Sequence, residues 1–191
     1  MPKIIYTADF KEVPWKNGKG LTRELYCIPS ESAPDQFNFR LSIATVSESA
    51  PFSLYPGVDR FLMLLDGHGV RLKFEDQADA ILDSPFDCLE FEGEEVIFCE
   101  LLKGECTDFN VMTNRSWGKS SVTSSLLKKD QSKKLTAKAQ SFIFFFILFF
   151  EFGNSPAIYP SNRCSSSYIM KSVHIIINAA IGGKSREKKC S

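Results

Sequence analysis

The first 115 residues of this chain predict an all-β fold, a sandwich or barrel, and three observations carry the prediction. Apolar and polar residues alternate with period two in several short runs. Turn signals separate those runs at close intervals: Asn17-Gly18, Pro56-Gly57, Asp66-Gly67 with Gly69, Glu92-Gly93 and Lys103-Gly104. No run carries a convincing helical stripe. At 43% hydrophobic and 13% aromatic residues, the 191-residue chain has enough apolar material for a real core.

The strands follow in order. Pro14 fixes φ and Asn17-Gly18 tolerates left-handed backbone, so the chain turns tightly into LTRELYCI, Leu21–Ile28. On that strand Thr22 and Glu24 share one face and Arg23 takes the other. In NFRLSIATV, Asn38–Val46, the set Phe39, Leu41 and Ile43 faces away from Arg40 and Ser42. PFSLYPGVDR then turns back into the aliphatic strand FLMLLDG, Phe61–Gly67, with Arg60 just ahead of it. Further strands are GVRLKFE, DCLEFEG and EEVIFCELL. The last, CTDFNVMT, puts Asp108 and Asn110 opposite Phe109 and Val111. A buried Asp and Asn need partners, so this pair either holds neighbouring loops or completes a polar pocket.

After Arg115 the composition changes. Residues 1–115 hold 11 Lys+Arg against 20 Asp+Glu, a net −9, whereas residues 116–191 hold 12 against 3, a net +9. The acidic part is unsuited to nonspecific nucleic-acid binding, which needs clustered Lys and Arg. The second part carries 15 of the 22 serines, a Lys-rich stretch and the run FIFFFILFF, with no strand-turn rhythm. The predicted division is therefore a β unit over 1–115 and a tail over 116–191. That tail is either a divergent second half, or a truncated or out-of-frame one of the kind A/T-rich DNA yields, and is expected to be disordered or loosely packed. Nine apolar residues, Phe142–Phe150, fall well short of the roughly 20 a helix needs to cross a bilayer. The start MPKIIYTADFKEVPW lacks the basic start and apolar core of a secretory signal, which makes a cytoplasmic location the expectation.

Metal and nucleophile chemistry find little support. The six cysteines show no C-x-x-C spacing, and His68 and His174 stand apart, His68 in the turn DGHGV. There is no phosphate-binding Gly loop, and neither histidine has the neighbours of an activated nucleophile. The acidic run Glu90–Glu95 reads as a solvated turn. No cofactor is expected.

Three segments concentrate polar groups where a β scaffold must pair or solvate them: PWKNGKGLTRE, FRLSIATVSESAPFSLYPGVDR and DFNVMTNR. Together they resemble the HutD/Ves family, small bacterial proteins with a double-cupin β-barrel fold, over residues 1–115. The first segment matches the family form PW(K/R)N-x-x-G-x-TRE at Trp15, Lys16, Asn17, Gly20, Thr22, Arg23 and Glu24; Lys19 stands where many members carry another glycine. The resemblance implies a cupin-type barrel or jelly roll, the first part of a bicupin, and links the chain to histidine utilisation and stress induction. A metal-binding cupin carries an H-x-H pair with a Glu and a further His, which this chain lacks.

The candidate binding residues are Trp15, Asn17, Thr22, Arg23, Glu24, Arg40, Ser42 and Arg60. Arg suits a planar, two-point grip on a carboxylate, so the expected partner is a small organic anion such as a carboxylate, with no nucleic acid and no membrane. Against this stand structural roles: Trp15 as a core plug, Arg23 as a salt-bridge partner, and Arg40 paired with Glu24 or Asp59. Three functions remain open. One is a metal-free binder with a regulatory role. Another is a metal-independent enzyme acting on an imidazole-derived or acylated amino acid, with Glu24 as base and Arg23 or Arg40 as clamp. The third is an inactive, truncated family member.

Overall fold

The structure is a computed structural model and describes residues 10–15, 20–31, 36–128, 141–151, 157–158 and 168–181, with side-chain surroundings described through residue 123. Every regular element among them is a strand. In chain order these are β1 (Lys11–Pro14), β2 (Gly20–Pro29), β3 (Phe37–Val46), β4 (Ala50–Pro51), β5 (Val58–Gly67), β6 (Val70–Phe74), β7 (Ala80–Leu82), β8 (Cys88–Glu92), β9 (Ile97–Leu101) and β10 (Cys106–Asn114). Beyond them lie β11 (Gly118–Lys128), β12 (Ser141–Glu151), β13 (Ala157–Ile158) and β14 (Tyr168–Ile181). The fold is all-β and cupin-type.

Two antiparallel sheets build the unit that matters for function. The larger runs β1-β2-β3-β10-β5-β8 and the smaller β4-β9-β6-β7, so neighbours in space are distant in sequence, as in a jelly roll. Leu62 and Leu64 of β5 meet Leu72 of β6, Leu82 of β7 and Ile97 and Cys99 of β9 in one buried cluster between the sheets. The opposite face of the larger sheet is also buried: Phe39, Leu41, Phe61, Met63, Phe109 and Val111 form a second cluster. Strand alternation makes both clusters from the same strands, Leu62 and Leu64 inward, Phe61 and Met63 outward.

An irregularity in β2 between Glu24 and Tyr26 inserts Leu25 as an extra residue opposite β3. Leu25 and Tyr26 thereby both join the outer cluster, while Glu24 keeps the inner register opposite Ser42. Gly69 closes the β5–β6 turn at φ 94°, where a Cβ would lie 2.3 Å from the Leu82 carbonyl oxygen, so only glycine fits. His68, between Gly67 and Gly69, is exposed.

The chain remains extended past Arg115. β11, β14, β12 and β13 pair antiparallel in that order as a third sheet. A period-two reading finds no rhythm there because runs such as Phe142–Phe150 and Ile175–Ile177 are apolar without alternation, the pattern of strands that periodicity alone does not detect. β11 is tied to the first unit. Trp117 and Val122 pack against the outer cluster, the Trp117 and Phe39 rings lie 6.1 Å apart, and Thr113 Oγ1 donates to Ser120 Oγ at 2.7 Å. Arg115 pairs with Asp59 at 2.9 Å and with Glu94. No helix among the described residues is long and apolar enough to cross a membrane, which bears on helical spans alone.

Candidate ligand-binding cavity

The inner face of the larger sheet is organised in rungs. Thr22, Ala44, Asp108 and Leu64 lie side by side across β2, β3, β10 and β5; next come Glu24, Ser42, Asn110 and Leu62; then Arg40, Met112 and Arg60, with Phe91 of β8 beyond. The polar members of these rungs other than Glu24 open into a cavity of about 460 Å³. Trp15, Phe52, Tyr55 and Met112 supply its apolar wall.

Pro14, Trp15 and Thr22 of the PWKNGKGLTRE segment form one rim. The Trp15 indole Nε1 donates to Thr22 Oγ1 at 2.8 Å, and the Trp15 amide donates to the Gly20 carbonyl at 2.9 Å. A Cβ on Gly20 would lie 2.9 Å from the Trp15 ring and 2.6 Å from the Thr45 carbonyl oxygen, which is why the last glycine of the segment is kept. Asn17, and with it the Asn17-Gly18 turn, lies outside the described residues.

Arg60 is the deepest cation. Its guanidinium carbon sits 5.0 Å from the Phe52 ring centre, 5.8 Å from Tyr55 and 4.8 Å from Phe91, an aromatic cage that holds the planar group by cation–π attraction. Its Nε is buried without a hydrogen-bond partner. Burial draws its pKa down to about 10, the facing Asp108 opposing that shift, so the group stays cationic at neutral pH. The Asp108 carboxyl is pushed up to about 7 by burial, with Arg60 pulling the other way. Asp108 Oδ1 and Asn110 Oδ1 are buried acceptors with no partner. Nearby thiols are inert: burial raises Cys99, and Cys106 is pushed up to about 12.

The structure brings Trp15, Thr22, Arg40, Ser42 and Arg60 around this one cavity. Glu24 sits beside the lining, its carboxylate 3.1 Å from Arg40 Nε, an ion-pair distance without hydrogen-bond alignment. Arg23 is on the opposite side of β2, 47% exposed and bonded to Glu12 at 2.7 Å, and does not line the cavity. Sequence reasoning saw Asp108 and Asn110 as needing partners without assigning them to the site. It missed the cage of Phe52, Tyr55 and Phe91. The available signal was Arg60 itself, in phase with Leu62 and Leu64 on a strand that buries that face. Among the described residues no three His, Cys, Asp or Glu side chains are grouped to hold a metal ion.

The HutD family model matches residues 7–152. The chain belongs to the HutD family. The match runs past Arg115, the point where the segment resemblance ends. A Pseudomonas putida relative, an uncharacterised 21.2 kDa protein of the hutC 3′ region, is 39% identical over 110 residues, 58% of this chain and 57% of the relative. The protein Ves of Escherichia fergusonii is 35% identical over 111 residues, 55% of this chain and 56% of Ves. The chain thus spans a little over half the length of the curated relatives it matches. The solved structure of HutD from Pseudomonas fluorescens SBW25 superposes with a TM-score of 0.64 over 94% of this chain and 98% of that one; at 22% identity it speaks for the fold.

Proposed function

We propose that this HutD-family protein is a metal-free binder of a small organic anion, held in the jelly-roll cavity by Arg60 with Arg40 on the same rung. One observation carries the reading: a guanidinium more than nine-tenths buried, caged by three rings, with an unpartnered Nε in a cavity of about 460 Å³. A buried donor without a partner costs about 1 to 3 kcal/mol or more when charged, and a carboxylate in the cavity would remove that cost. The volume lies in the range of small-molecule sites, roughly 300 to 1,000 Å³. The family and the hutC-region relative support a regulatory role in histidine utilisation or stress, and the four described free cysteines suit the reducing cytoplasm.

The test is titration calorimetry with a panel of one- to five-carbon carboxylates against the wild type and Arg60→Lys. The lysine keeps the charge but loses the fork, so binding weakens by about tenfold or more. Heat-free mixing across the whole panel rejects the reading.

A second reading, catalysis without metal, is favoured by the Asp108 carboxyl, whose titration near 7 suits proton transfer. Asp108 rather than the ion-paired Glu24 would then be the acid–base group. Loss of a bound ligand's NMR signals over hours, abolished in Asp108→Asn, would support it; an unchanged spectrum would reject it.

A further inference from the structure

The charges around the cavity cancel in pairs. Arg40 has Glu24 at 3.1 Å, and Arg60 and Asp108 act on each other's charge through space without forming an ion pair. A simple anion therefore brings an uncompensated negative charge into a partly open, aromatic-walled site, which is costly. The unpartnered atoms are also of two kinds. Arg60 Nε is a donor awaiting an acceptor, whereas Asp108 Oδ1 and Asn110 Oδ1 are acceptors awaiting a donor. Both acceptor side chains are more than nine-tenths buried and both line the cavity.

The two acceptors sit on alternate residues of β10, Asn110 one rung and Asp108 two rungs from that of Arg60. With a rise of about 3.4 Å per residue, Asn110 lies roughly 7 Å of backbone from the Arg40-Met112-Arg60 rung and Asp108 roughly twice that. The cavity thus has a cationic end and an acceptor end about one small molecule apart.

We propose that the ligand is a zwitterion of amino-acid type, its carboxylate on Arg60 and its ammonium group on Asp108 and Asn110. This rests on the anion-binding reading of the same cavity. A zwitterion satisfies Arg60 Nε and both orphaned acceptors and adds no net charge to the cavity; a plain carboxylate satisfies the donor alone. The titratable and charged groups facing Asp108 are Arg60 of β5, Cys99 of β9 and Cys106 of its own strand, with Arg40 lining the same cavity. With Asp108 pushed up to about 7, a plain carboxylate is favoured when Asp108 carries a proton, whereas the zwitterion binds best once Asp108 is ionised.

The experiment uses matched probes at pH 8 on the full chain: acetate against glycine, propionate against β-alanine, and butyrate against 4-aminobutyrate, by calorimetry. In at least one pair the amino acid binds about tenfold or more tightly than the carboxylate of equal length, the factor expected when buried polar groups gain their partners. In Asp108→Asn, checked for folding by its thermal melt, that ratio collapses to about twofold or less. Equal binding within every pair, or a ratio untouched by Asp108→Asn, overturns the zwitterion while leaving anion binding standing. Absence of binding by all six probes overturns both.

Discussion

The two faces of the larger sheet are made by the same strands and do opposite things. Outward, β3, β5 and β10 present Phe39, Leu41, Phe61, Met63, Phe109 and Val111, a dry cluster in which Phe39, Leu41 and Phe109 have no exposed surface. Inward, the alternate residues of those strands present Arg40, Ser42, Arg60, Asp108 and Asn110 to a cavity. Burial is nearly equal on the two sides, so burial does not distinguish scaffold from site. What differs is satisfaction: the outer side chains are apolar and call for no hydrogen-bond partner, and the inner ones include an orphaned donor and two orphaned acceptors.

The sharpest way to break the comparison is to damage the outer face. Phe109→Ala removes a fully enclosed ring at the centre of the dry cluster and should cost about 3 to 5 kcal/mol in urea unfolding. A loss under about 1 kcal/mol would mean that the outer cluster is not the main scaffold.

That asymmetry explains what the sequence could disclose. Strand positions were legible because one face of each strand is aliphatic in period two: the expected Asn38–Val46 and Cys106–Thr113 differ from β3 and β10 by a single residue at one end. The short strands β1, β4 and β7 went unread because two to four residues carry no period. Alternation also placed Arg40 with Ser42 and Asp108 with Asn110 on common faces. It could not say which face closes on a cavity, because that depends on pairing between strands distant in the chain, such as Arg60 and Arg40 either side of Met112. The aromatic cage was invisible for the same reason, its rings coming from the loop after β4 and from β8.

The inner face should show its cost as a pH dependence. Asp108 has its folded-state pKa raised from 3.8 to about 7, so between those values the folded protein holds a proton that the unfolded chain has released. Stability therefore falls as pH rises from about 4 to 7, and the full penalty, on the order of 4 kcal/mol, applies above 7. Asp108→Asn removes the titration. Thermal melts from pH 4 to 8 should show the wild type losing ground steadily to the variant; parallel curves would place the carboxylate in a solvated or fully paired setting instead.

A smaller effect sharpens the outer side. Trp117 is only partly buried, yet its ring lies against Phe39 at the point where β11 meets the first unit. Trp117→Ala should cost about 2 kcal/mol, below the range for a fully enclosed aromatic, and should leave ligand affinity unchanged. A loss indistinguishable from zero would detach β11 energetically from the sheet it touches and favour reading residues 116–191 as a unit of their own.

The smallest expected effect tests the comparison across two adjacent strands. Arg23 and Arg40 stand on adjacent strands, and sequence reasoning treated them alike as anion clamps. Arg40 is inward, 18% exposed and set between Glu24 and the Phe37 ring, 5.9 Å from its centre; Arg23 is outward, 47% exposed and paired with Glu12 at 2.7 Å. An exposed pair of that kind contributes about 0.5 kcal/mol or less, because water screens both charges and the side chains lose freedom in meeting. Arg23→Ala should therefore shift stability by no more than that and leave carboxylate binding within twofold of wild type, while Arg40→Ala weakens binding and strands the Glu24 charge. Should the two variants lose affinity equally in the same titration, the face of the strand would not be what selects the site, and the assignment of the cavity would fall with it.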